Sequence, residues 1–401
     1  MRLPKAIGPN LIIAVVLISQ QCLGLIPSTT SVKCVSQLGA AEAKKDPFIF
    51  PDVESIGIRG RWEEVDGNYL LRPPTETAPL GVIHFLGGAF VGAAPHITYR
   101  YLLERLSEAN YLVVATPFRL DMDYIRSCDA ILTRFDSIGS KLAQEYGPLP
   151  VVGLGHSCGA LLQTLITCLF PSAPRAANIL ISFNNRPASR AIPLFQELII
   201  PVAEQIYSND ERSVSFRESL LNFRSSVDAV FDSYSNSAVA PSFVGKEVLP
   251  FVRQGLEIID QLPFLLKIIS DGKQEFEPTP KDTKEVCRRM YRARRTLLIK
   301  FSDDSLDESE DIEKVLREAN TIMRMKRPMV EMEVMLRLMT GTHITPLTQN
   351  ILLDPPPNVP VPEVLLNNPI RQTLRTNFLR TVDEVVGEIL SFLDLSMAPD
   401  I

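Results

Sequence analysis

From about Pro47 onward, short apolar runs rich in β-branched residues alternate with longer stretches whose apolar positions recur every three or four residues. The runs GVIHFL (Gly81–Leu86), YLVVATPF (Tyr111–Phe118), PVVGLG (Pro150–Gly155), ANILISF (Ala177–Phe183) and TLLIKF (Thr296–Phe301) are apolar without alternation. A strand covered on both faces has no polar side to show, so these runs predict central parallel strands. VEMEVMLRL (Val330–Leu338) alternates instead, which predicts a strand at the side of the sheet. Ahead of them, RWEEVDGNYLLRPP (Arg61–Pro74) holds Asp66-Gly67 between two strand-like runs and predicts a hairpin that opens the sheet. Strands and helices taking turns in this way predict an α/β fold, a mostly parallel sheet with helices on both faces.

The segment 186–294 breaks the rhythm, because it offers no strand-like run. In PLFQELIIPVAEQIY the apolar Leu194, Leu198, Ile199, Val202 and Ile206 recur at helical spacing, with Pro201 as a kink. KEVLPFVRQGLEIIDQLPFLLKII (Lys246–Ile269) is more apolar than one buried stripe requires. An independent helical domain is the alternative, but TLLIKF needs a sheet to join and that sheet lies upstream. The segment therefore reads as a helical cap inserted into a core made of residues 46–185 and 295–401. The stretch Pro346–Pro369 is too rich in proline for a helix or a central strand. A closing amphipathic helix then carries Leu374, Phe378, Leu379, Val382, Val385, Val386, Ile389, Leu390 and Leu393 on one face.

The N-terminus adds an expected address. Arg2 and Lys5 precede LIIAVVLI (Leu11–Ile18), too short to span a bilayer, and the small residues Cys22 and Gly24 follow, as in a secretory signal peptide. The Ser- and Thr-rich stretch after it has no acidic residue before Glu42 and reads as a transit peptide. Together residues 1–45 predict a two-part route to a plastid; secretion, or retention in the endomembrane lumen, is the alternative. The six cysteines include no CxxC and make neither a disulfide framework nor a zinc site. Cys22 and Cys34 would leave with the address, while Cys128, Cys158, Cys168 and Cys287 suit small buried hydrophobes in a reducing compartment. A formal charge of -6 argues against a nucleic-acid partner, and the basic run Cys287–Arg295 is more simply a solvated helix face. With no P-loop, GxGxxG or HExxH, neither a nucleotide nor a metal or organic cofactor is expected.

Candidate chemistry begins at Gly155-His156-Ser157-Cys158-Gly159, a GxSxG between an apolar run and the helical ALLQTLITCLF. In that context the serine sits in a strained strand-to-helix turn that pushes Oγ out over the sheet; a purely structural turn is the alternative. At the head of a helix, the Cys158 amide can receive a developing oxyanion. Acyl transfer on such a fold needs an acid and then a histidine further along the chain. Of four histidines, His84 and His96 precede the serine and His156 lies inside the turn, where its ring should point away from Oγ. His343 remains, after the alternating strand, as general base. The acid falls at the end of TLLIKFSDDSLDESED: Asp304 first, three residues past the strand with Leu306 to anchor the loop, and Asp307 as runner-up. Helix capping accounts better for Asp307, Glu308 and Glu310. A second oxyanion donor is expected from FLGGAFVGAAP (Phe85–Pro95), at Gly88 or Ala89.

These residues resemble the α/β-hydrolase superfamily, with Gly87, Gly88 and Ala89 in the glycine positions of the esterase HGGGF loop and Leu86 in place of its histidine. More closely, HFLGGAFVGAAPHITYRYLLERL, GLGHSCGALLQ, ISFNNRPA, LIKFSDDSLDE and GTHITPL resemble the plant-plastid and cyanobacterial family known as domain of unknown function thirteen-fifty, over about Phe50 to Leu395. The resemblance implies a hydrolase fold and a plastid setting, and brings no substrate. Two functions are then in view. One is a serine hydrolase for an acyl ester, small or lipid, admitted beneath the cap, with peripheral membrane contact through that cap; an acyltransferase or thioesterase would use the same residues. The other is a plastid assembly or binding protein that keeps the fold without catalysis.

Overall fold

The structure is a computed structural model that describes residues 62–74, 77–191, 275–327, 331–347 and 369–397, with Gly272 and Met329. The expected address 1–45 and most of the expected cap lie outside the described residues, as does the proline-rich stretch from residue 348 to 368. In chain order the elements are β1 (Trp62–Val65), β2 (Asn68–Leu71), β3 (Val82–Leu86), α1 (Arg100–Glu108), β4 (Leu112–Ala115), α2 (Tyr124–Tyr146), β5 (Val151–His156), α3 (Cys158–Leu169), β6 (Ala177–Ile181), α4 (Pro280–Met290), β7 (Arg295–Asp303), α5 (Ser309–Lys326), β8 (Glu333–Thr342) and α6 (Pro369–Met397).

The strands form one eight-stranded sheet in the order β1-β2-β4-β3-β5-β6-β7-β8. β2 runs antiparallel to both β1 and β4, and every pairing from β4 to β8 is parallel. This order and polarity make the α/β-hydrolase fold. The non-alternating runs became β3 to β7, whose residues are buried on both sides through the middle of the sheet. β8 closes one side and is the most exposed of the parallel strands; its burial does not alternate strictly, because Val334 is buried while Leu338, on the side its pattern puts inward, is exposed.

Each face has its own apolar core. Leu86, Leu180 and Leu298 point to the face covered by α2, α3, α4 and α5, where Ile131, Leu161, Leu165, Cys287 and Leu316 are buried. Their neighbours Phe85, Ile181 and Ile299 point the other way, against Leu102 and Leu106 of α1 and Val382, Val385, Val386, Ile389 and Leu393 of α6. Burying a large aliphatic side chain contributes about 1.5–3 kcal/mol relative to exposure, so these two layers supply the main drive to fold. Local signals set the helix limits. The Asp123 carboxylate accepts from the Arg126 amide at 2.9 Å to start α2, and Gly147 at φ 79° ends it.

The limits of the insertion between β6 and β7 differ from the sequence expectation. Helix α4 packs Cys287 into the same core as α3, and the following Tyr291 is buried there too, so residues 280–294 belong to the core. The first half of the basic run is indeed a helix face: Arg288 pairs with Glu318 and Glu285, and Arg289 with Glu285. The excursion's two ends meet, because Glu275 Oε1 accepts from the Ala188 amide at 2.9 Å. Among the described residues, no helix is long and apolar enough to cross a membrane.

One buried carboxyl makes stability pH-dependent. Glu104 of α1 accepts from Arg100 at 2.8 Å and Trp62 at 3.1 Å, yet burial outweighs both and raises its pKa to about 7. A carboxyl whose folded pKa is raised favours folding when protonated, so stability falls as pH rises from the usual carboxylate range toward 7. Glu104→Gln is expected to flatten that fall, read as a smaller difference between urea midpoints at pH 5 and pH 8 than in the unaltered protein.

Candidate active site

In a parallel sheet all strand ends of one kind meet at one edge, and a crevice opens where successive connections depart in opposite directions. Here that point lies between β3, whose chain continues to β4 on one side, and β5, which continues to β6 on the other. The GxSxG turn leaves β5 and the Gly87–Gly88–Ala89 loop leaves β3, so both stand at this crevice. Asp304 and His343 leave the same edge, directly after β7 and β8.

Ser157 is held at φ 55° and ψ -119°, a left-handed conformation costly for a residue with a side chain. Its amide donates to Ile181 O at 2.9 Å, and its carbonyl accepts from Ala160 and Leu161, which starts α3. The two glycines of the motif are steric necessities. A Cβ on Gly155 would overlap the Gly159 and Ala160 backbone, and one on Gly159 would overlap the carbonyl oxygens of Leu86 and Gly87. Cys158 is the first residue of α3, where amides have no intrahelical acceptor. Its thiol is no rival to the serine, because burial pushes it up to about 12.

His343 meets the serine from 186 residues away in sequence: Nε2 stands 3.0 Å from Ser157 Oγ, and Nδ1 2.8 Å from Asp304 Oδ2. The β7–β8 ladder slips between Phe301↔Met339 and Asp303↔Thr342, so the next residue on each strand, Asp304 and His343, come side by side. The turn beyond β8 is tied by the Thr342 amide donating to Thr345 Oγ1 at 2.8 Å. Asp304 Oδ1 accepts from the Leu306 amide at 2.9 Å. Leu306 thus anchors the loop through its backbone, and its side chain is only half-buried, not the core anchor expected from sequence. Burial alone would push the Asp304 carboxyl up, but the hydrogen bond and charge of His343, with the Leu306 amide, hold it below the usual carboxylate range.

The runner-up acid is placed elsewhere. Asp307 accepts from the amide and the hydroxyl of Ser309, both at 2.8 Å, at the head of α5. Glu308 accepts from the Asn185 amide, and Glu310 pairs with Lys300. Of the other histidines, His84 is buried, accepting from Arg175 at 2.9 Å on Nδ1 and facing Thr116 Oγ1 with Nε2; His96 stacks on Tyr69 with ring centroids 3.5 Å apart. The loop after β3 brings one correction. The Gly88 amide donates to the Tyr99 hydroxyl at 2.8 Å, so it is already engaged, and Ala89 is left as that loop's candidate donor.

Two side chains beyond the sequence candidates, Tyr99 and His156, join the site. His156 Nδ1 meets Tyr99 OH at 2.8 Å, and its Nε2 meets the carbonyl oxygen of His343 at 2.9 Å. Among the described residues, no group of His, Cys, Asp and Glu side chains is placed to hold a metal ion.

The family model described as "Protein of unknown function (DUF1350)" matches residues 61–237 and 242–391. No curated protein matches the chain. Among solved structures it is similar to the acylaminoacyl peptidase of Pyrococcus horikoshii, at 16% identity and TM-score 0.36 over 74% of this chain and 38% of that one. It is also similar to a tributyrin-phosphonate-inhibited esterase B from Lactobacillus rhamnosis, at 14% identity and TM-score 0.40 over 84% of this chain and 89% of that one. A third likeness is carboxyl esterase 2 from the fungus Tuber melanosporum, at 13% identity and TM-score 0.39 over 84% and 89%.

Proposed function

The chain belongs to the DUF1350 family, and from its site we propose that it is a serine hydrolase that cleaves an acyl ester, small or lipid, through Ser157, His343 and Asp304. The observation that carries this reading is the continuous path Ser157 Oγ to His343 Nε2, 3.0 Å, and His343 Nδ1 to Asp304 Oδ2, 2.8 Å, standing in the crevice of the sheet.

The chemistry follows from the proton positions. Asp304, held ionised, takes the hydrogen bond from Nδ1–H, which leaves the Nε2 lone pair facing the Ser157 hydroxyl. As Oγ bonds to the substrate carbonyl carbon, its proton passes to Nε2 and the carbonyl π-pair becomes an oxyanion. The amides of Cys158 and Ala89 are the proposed donors to that oxyanion, each donor of this kind contributing about 2.7–4 kcal/mol to the transition state. The imidazolium then protonates the leaving alcohol, and water, deprotonated by the same histidine, releases the acid. Residues 1–45 would carry the enzyme to a plastid.

A fluorophosphonate probe tests the reading on purified full-length protein. Ser157→Ala is expected to abolish covalent labelling while leaving the melting temperature close to that of the unaltered protein. Folded, unlabelled wild-type protein would instead support a binding or assembly role built on the same fold. A thiol or alcohol acceptor that diverts the acyl group faster than water would mark an acyltransferase.

A further inference from the structure

We propose that His156 and Tyr99 are positioning residues that lock the base loop and the oxyanion loop to the nucleophile strand, an inference that rests on the serine-hydrolase reading. The direction of every hydrogen bond in their chain can be worked out from atom types. The carbonyl oxygen of His343 can only accept, so the proton on His156 sits on Nε2, 2.9 Å away. In a neutral imidazole the other nitrogen is then an acceptor, and Tyr99 O–H donates to it over 2.8 Å. With its proton so directed, the Tyr99 oxygen faces the Gly88 N–H at 2.8 Å and accepts from it. The order is Gly88 N–H to Tyr99 O–H to His156 Nδ1, and His156 Nε2–H to His343 O.

This chain connects three elements that are remote in sequence. Gly88 lies in the loop after β3, His156 ends β5 beside Ser157, and His343 lies in the turn after β8. His343 is therefore held twice, by its ring on Asp304 and by its carbonyl on the residue preceding the nucleophile. The loop after β3 is held with the Gly88 amide turned to Tyr99, which leaves the next amide, Ala89, as its proposed oxyanion donor. The chain requires an uncharged His156. Burial and the neighbouring His343 lower its pKa to about 3, so the order persists across the working range of an esterase. Tyr99 and His156 are both buried, at 0% and 2% exposure, so water does not compete for these bonds.

The test compares full-length wild type with Tyr99→Phe, His156→Phe and His156→Gln. The readouts are the fluorophosphonate labelling rate, kcat and KM for p-nitrophenyl butyrate, and the low-field NMR signal of the His343 Nδ1 proton. A shift of the base by about 1 Å is worth on the order of a hundredfold in rate. His156→Phe is accordingly expected to slow labelling and kcat about a hundredfold with KM little changed, and to weaken the low-field signal. Tyr99→Phe is expected to slow both rates about tenfold. In His156→Gln the side-chain amide can donate to the His343 carbonyl and recovers part of the loss.

Wild-type rates and an unaltered proton signal in Tyr99→Phe and His156→Phe would overturn the proposal, as would equal losses in His156→Gln and His156→Phe. If the latter fails to fold, Tyr99→Phe, which removes a single oxygen atom, decides on the same readouts. A wild type that does not label fails the hydrolase reading instead, and the proton signal then still decides whether His156 holds His343.

Discussion

Asp304→Asn is expected to lower turnover of an activated ester by about 10,000-fold without unfolding the protein. An asparagine presents an NH₂ to His343 Nδ1 where the carboxylate presents an acceptor. The imidazole answers by moving its proton to Nε2, and the nitrogen 3.0 Å from Ser157 Oγ then has no lone pair to receive the serine proton. The loop itself should persist, because the asparagine oxygen can still accept from the Leu306 amide. The paired variant separates the two candidate acids. Asp307→Asn should leave kcat nearly unchanged, since that carboxyl faces Ser309 and not His343. Its effect belongs to stability. Burial raises the Asp307 pKa to about 6, with the Asp304 charge adding to it, so the folded state prefers the protonated form and loses stability as pH rises from about 4 to 6. The asparagine variant should lose that dependence. Steady-state kinetics at pH 8 and melting curves across pH 4 to 7 measure both effects, and a collapse of kcat in Asp307→Asn alone would move the acid.

Gly159→Ala should have the other large effect, on folding and chemistry together. Its added methyl would overlap two carbonyl oxygens at the end of β3, and backbone cannot swing aside as a flexible side chain can. Either α3 retreats, taking Ser157 with it, or the loop carrying Gly88 and Ala89 is displaced. Overpacking typically costs about 1–3 kcal/mol and occasionally more, and a backbone-to-backbone clash belongs at the upper end. Gly139→Ala is the matched control: that glycine lies inside α2 with nothing within 4 Å of the added atom. There the same substitution should stabilise by about 0.5–1 kcal/mol, through helix propensity. Opposite shifts in melting temperature, with labelling lost only in Gly159→Ala, are the expected result. Equal shifts would mean that the packing around the turn is looser than described.

Much of the fold could be read along the chain because its signals are local. A strand buried on both faces is mostly apolar and shows no alternation, so five such runs announce β3 to β7, with buried polar residues such as His84 and Asn178 as exceptions. The hairpin showed itself by Asp66-Gly67, and Asp66 does sit at φ 51°. The same locality made Ser157, Asp304 and His343 candidates: each follows a strand, and a parallel sheet delivers such positions to one edge. The limits of the insertion were less legible, because the amphipathic pattern of α4 is the same whether a helix covers a sheet or a cap.

What the sequence by itself determined is the order of strands and helices, most of the residues that face inward, and which side chains stand at the strand ends. Whether those strand-end groups touch was decided by the tertiary structure. A one-residue slip between β7 and β8 puts His343 beside Asp304, and no local pattern encodes a slip whose partner strand is more than thirty residues away. The engagement of Gly88 by Tyr99, and of His156 by the His343 carbonyl, likewise exists only once three chain segments have converged. Periodicity records the boundary between water and core for each residue alone. Hydrogen bonds between strand ends depend on distance and direction between residues far apart in the chain, and those are set by the packing of the whole sheet.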